Sequence, residues 1–79
     1  MATRRLRLAL WQHHRHLEHQ ALAQERAAEH LVRLANILQA AGRPEAARCL
    51  VKLARRYQVK AICLNAQANA SSSQAGLLV

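Results

Sequence analysis

The chain has 79 residues, twelve Lys and Arg against four acids for a formal charge of +8, and 52% hydrophobic residues, with Trp11 and Tyr57 as its aromatics. That length supports one small domain whose core barely offsets the chain entropy lost on folding, so a second copy, a disulfide or a metal is the usual supplement. The composition argues against a wide apolar substrate cavity, and no apolar run approaches the roughly 18 residues of a membrane span.

From Thr3 to Ala41 there is neither Gly nor Pro, and good helix formers dominate, so one long helix is predicted over 3–41. Leu10, Leu17, Leu31 and Leu38 are spaced by multiples of seven, and Ala21, Ala28 and Ala35 fill the same stripe. Gly42 supplies the left-handed cap and Pro44 suits the first position of a new helix, which places a turn at 42–43. Glu45 then complements the positive end of the second helix dipole.

The second helix is predicted over 44–69, with Ala46, Leu50, Leu53, Tyr57, Ala61, Leu64 and Ala68 at spacings of three and four. A short turn makes the two helices antiparallel neighbours. Folding about the turn sets Leu38 against Ala46 or Ala47, Leu31 against Ala54, Ala28 against Tyr57 and Ala21 against Leu64. Large residues facing small ones let the backbones approach closely. The expected fold is therefore all-α, a long antiparallel hairpin forming a domain over 1–70. Residues 71–79, rich in Ser and ending in Leu-Leu-Val, read as a flexible tail.

The stretch Ala28 to Arg56 resembles a single tetratricopeptide repeat, through Leu31, Leu34, Ala35 and Leu38, Gly42 at the turn, and Ala47 and Ala54. The resemblance covers about a third of the chain. It implies a packed helix pair and a role in protein binding.

Leu34 and Ile37, together with Ala23, Ala27 and Ala41, form a second apolar flank on the first helix, and Val51 and Ile62 form one on the second. A lone hairpin would leave these wet, so a homodimer assembled as a four-helix bundle is expected, with Leu34, Ile37, Val51 and Ile62 in the interface.

No catalytic or cofactor-binding residue is assigned, and no cofactor is expected. Cys49 and Cys63 lack the strand-turn-helix setting or glycine-rich oxyanion loop of a nucleophile. They are fourteen residues apart on one helix, about 21 Å, too far to bridge each other. His13, His14, His16 and His19 cluster, but a zinc site takes at least three aimed ligands and Glu18 is the one carboxylate close by, so they read as solvated.

The cations are better organised. Ten of the twelve are Arg, which favours forked contacts with carboxylate or phosphate. Arg4, Arg5, Arg7 and Arg15 surround Leu8 and Trp11, and a second helix of about 25 residues would leave about 14 residues of the first unsupported there. This overhang is the expected partner-binding surface. Arg48, Lys52, Arg55, Arg56 and Lys60 form a basic arc on the second helix. The function these features point to is that of a small, non-enzymatic adaptor or inhibitor, of the bacterial or phage regulator type, docking on a larger acidic protein. A nucleic-acid-binding accessory protein is the alternative, and a membrane surface ranks last. The first seventeen residues are Arg-rich and acid-free, a composition similar to a mitochondrial transit peptide. They continue into the next helical segment without a processing boundary, so a cytoplasmic location is expected.

Overall fold

The computed structural model describes residues 2–77, which form two α-helices, α1 (Ala2–Ala40) and α2 (Pro44–Leu77), joined by a three-residue turn. Their Cα atoms fill a rod of 62 × 13 × 11 Å. The turn forms as the sequence dictates. Gly42 takes φ +77°, its N–H donates to the Gln39 carbonyl at 3.1 Å, and the Arg43 N–H donates to the Leu38 carbonyl at 2.9 Å. These two bonds are the Schellman pattern that closes a helix C-terminus. The Arg43 carbonyl then accepts from the Ala47 N–H and starts α2.

The core is a line of small side chains. Ala21, Ala28 and Ala35 on α1 and Ala47, Ala54, Ala61 and Ala68 on α2 are buried, each row stepping by seven residues. A strict seven-residue repeat on a helix of 3.6 residues per turn makes the pair coil gently about one another, keeping the alanines in the seam. Leu31, Leu38, Leu50, Tyr57 and Leu64 sit beside the alanines and are half-buried. With alanine in the seam, the larger residues cover it from its sides, and Leu17, seven residues after Leu10, is the large side chain buried with the alanines, 4% exposed.

Two boundaries differ from the sequence reading. α1 begins at Ala2 and ends at Ala40, a shift of one residue at each end. α2 continues eight residues beyond Asn69 to Leu77, so most of the expected tail is helical, while 78 and 79 lie outside the described residues. The physical reason is packing. Ser71 lies seven residues after Leu64 and is buried, so a small polar residue continues the seam and tertiary contact outweighs the modest helix propensity of serine. α2 is consequently five residues shorter than α1, about 8 Å, and the overhang is far smaller than the 14 residues expected.

Candidate functional site

Because the helices are antiparallel, residues that follow a seam position in sequence fall on one face of the rod, and residues that precede one fall on the other. Asn36, Gln39, Arg48, Val51 and Arg55 each follow a seam residue, and together they line one groove between the helices. On the same face the Asn65 side-chain amide donates to Oε1 of Glu25 at 3.4 Å. Leu34, Ile37, Cys49 and Leu53 each precede a seam residue and belong to the opposite face.

Arg4, Arg5, Arg7, Leu8 and Trp11 line a shallow, open groove of about 500 Å³ at the amino end of α1. Trp11 is 44% exposed and Leu8 is exposed beside it. Arg15 shares the Trp11 face, one turn further on, but does not line the groove. The groove contains four- and three-residue steps along one helix, from Arg4 to Leu8 to Trp11, so the indole and the guanidinium groups point the same way.

Trp11 is also held from behind. Its ring meets His14 edge-to-face with centroids 5.4 Å apart. The His14 Nδ1–H donates to the Ala68 carbonyl oxygen at 2.6 Å, and Nε2 lies 2.9 Å from Oε1 of Glu18. The His14 side chain is 12% exposed and Glu18 is half in solvent. A carbonyl and a carboxylate are both acceptors, so each ring nitrogen faces an acceptor. This residue was grouped with the solvated histidines on sequence grounds. The signal that places it in the seam is its spacing, since 14, 21, 28 and 35 form one row.

The remaining expected sites are divided by the two faces. Arg48, Lys52 and Arg55 line the groove between the helices together with Asn36 and Gln39, whereas Arg56 and Lys60 precede seam residues and face the other way. The basic arc is therefore two clusters. The proposed dimer residues are split as well. Leu34 and Ile37 share one face, while Val51 and Ile62 lie on the Trp11 face, so the structure does not bring the four together. Grouping them by distance from the seam does not distinguish its two sides, which the antiparallel geometry separates.

Cys49 and Cys63 are free and exposed. No three His, Cys, Asp or Glu side chains come together in a metal-like cluster among the described residues. No described helix is long and apolar enough to cross a membrane. Comparison with known proteins finds no matching family model, no matching curated protein and no matching solved structure.

Proposed function

We propose that this chain is a small, basic, non-enzymatic adaptor or inhibitor that docks on a larger acidic protein through the groove at the start of α1. The observation that carries the reading is the convergence of Arg4, Arg5, Arg7, Leu8 and Trp11 on one open groove that contains no acid. A half-exposed tryptophan ringed by arginines combines apolar area, which drives association, with forked donors that recognise carboxylates. The likeness of residues 28–56 to a tetratricopeptide unit agrees with protein binding, and the free thiols agree with a cytoplasmic setting.

Affinity purification of the tagged full chain, with and without nuclease and at low and raised salt, tests this. An acidic protein retained after nuclease treatment supports the reading. Nucleic acid that coelutes and is lost in salt overturns it in favour of the alternative, a nucleic-acid accessory protein, which the second groove of Arg48, Lys52 and Arg55 favours.

We further propose that the chain is a homodimer, a four-helix bundle of two hairpins. Its accessible surface is 6170 Å², against about 4,800 Å² for a compact monomer of its 8.8 kDa. The excess, about 1,400 Å², is larger than the roughly 800 Å² each partner contributes to a standard interface.

A further inference from the structure

The face opposite Trp11 has an unusual charge pattern. On α1 it consists of two rows stepping by seven, the first being Leu6, His13, Gln20, Ala27 and Leu34. The second row is Ala9, His16, Ala23, His30 and Ile37. None of these residues is Asp, Glu, Lys or Arg, although α1 itself carries six arginines and three glutamates. Leu6 is 53% and Ile37 63% exposed, and they stand at opposite ends of the face. On α2 the same face carries no acid, and its cations are Arg56 and Lys60.

From this we infer that a second copy of the chain packs on this face, α1 against α1 and antiparallel, with the Trp11 grooves left open on the outside of the bundle. The inference rests on the dimer proposed above and specifies its face and register. A chain of charge +8 can meet its own copy closely only where it brings few charges, and this is the face that qualifies. A parallel arrangement would crowd two sets of Arg4, Arg5 and Arg7 at one end, whereas an antiparallel one separates them by nearly the length of the rod.

Two-fold symmetry fixes the pairing, because residue i meets j while j meets i. With the axis between Ala21 and Leu22, Leu6 meets Ile37 of the second copy and Ala9 meets its Leu34, so both apolar ends are covered. The axis crosses α2 at about Cys63 to Asn65, midway between the levels that the His14–Ala68 and Glu25–Asn65 bonds set, near Ala61 and near Ala68 respectively. Cys63 then lies close to its own counterpart. Arg56 and Lys60 fall against the stretch beyond Leu64, which carries no charged side chain. Cys49, two heptads nearer the turn, is about 45 Å from its counterpart along the rod.

Light scattering at micromolar concentration, joined to crosslinking with a short bis-maleimide, tests the inference on the full chain. Wild type and Cys49→Ser are expected to form a covalent dimer, and Cys63→Ser to form none. Ile37→Glu should give monomers of unchanged helicity, whereas Leu22→Glu, exposed on the Trp11 face, should stay dimeric. If Ile37→Glu loses helicity, Leu6→Glu at the other end of the face carries the same expectation. A monomeric wild type overturns the dimer and the inference together. A dimer that crosslinks through Cys49 as readily as through Cys63, or that Leu22→Glu splits and Ile37→Glu does not, overturns the face and register while the dimer stands.

Discussion

His14 of α1 and Ala68 of α2 are joined by the 2.6 Å bond from the imidazole Nδ1–H to the main-chain carbonyl, 54 residues apart in sequence. The bond ties the end of α2 to the helix turn that carries Trp11. Replacing His14 by Ala removes this bond, the contact to Glu18 and the edge that supports the indole. A net loss of about 1 to 2 kcal/mol is expected, as for a part-buried hydrogen bond with some packing. In a domain of this size that lowers the thermal midpoint by about 5 to 10 °C. Near-ultraviolet circular dichroism of Trp11 should weaken at the same time. An unchanged midpoint and an unchanged tryptophan signal would show that the bond contributes nothing.

The alanine seam makes a second expectation quantitative. Ala54 is 1% exposed in the seam between the helices. Ala54→Leu must push the backbones apart or force strained rotamers, at a cost of about 1 to 3 kcal/mol. Ala66→Leu, on the exposed outer side of α2, should change stability by less than about 0.5 kcal/mol. Urea denaturation of the two variants makes the comparison. Equal midpoints would mean that the seam is not closely packed.

Gly42 offers a test free of side-chain contacts, since a Cβ there meets nothing within 4 Å and strain alone is at issue. At φ +77° an L-residue is disfavoured, so Gly42→Ala should cost about 1 kcal/mol and Gly42→Asn less, because asparagine tolerates the left-handed region better. Thermal melts of both variants decide it, and the order Asn above Ala is the diagnostic result.

Much of the hairpin was legible in the sequence for physical reasons that are local or periodic. Gly42 and Pro44 punctuate the chain, and alanines at steps of seven mark the seam without any knowledge of the partner helix. The far end of α2 was not legible, because Ser71 to Ser73 read as a coil when propensity is summed locally. What holds them in a helix is packing against α1, visible only once Ser71 is placed in the row with Tyr57 and Leu64. His14 was missed for a related reason. Its neighbours His13, His16 and His19 drew it into a polar cluster, although its spacing from Ala21 puts it in the seam. The split of Val51 and Ile62 from Leu34 and Ile37 needed the antiparallel geometry, which decides the face of each residue that flanks the seam.

Trp11 bears most directly on function. It is 44% exposed, lines the amino-terminal groove and lies on the face turned away from the charge-free rows of α1. Nearly half of it stands in solvent and it meets His14 only edge-on, so the fold should tolerate its loss, with a change in midpoint of no more than a few degrees. Binding should not tolerate it. Truncation of a tryptophan at the centre of an arginine-ringed contact typically costs about 2 kcal/mol or more, near a thirtyfold loss of affinity. Titration calorimetry of Trp11→Ala against the acidic protein recovered by the tagged chain measures this directly, with light scattering on the same sample reporting the oligomer. Weaker binding with an intact dimer places the indole in the partner interface. Dissociation into monomers would put it in the dimer interface instead and overturn the assignment of faces. Unchanged affinity would remove the groove from the binding site.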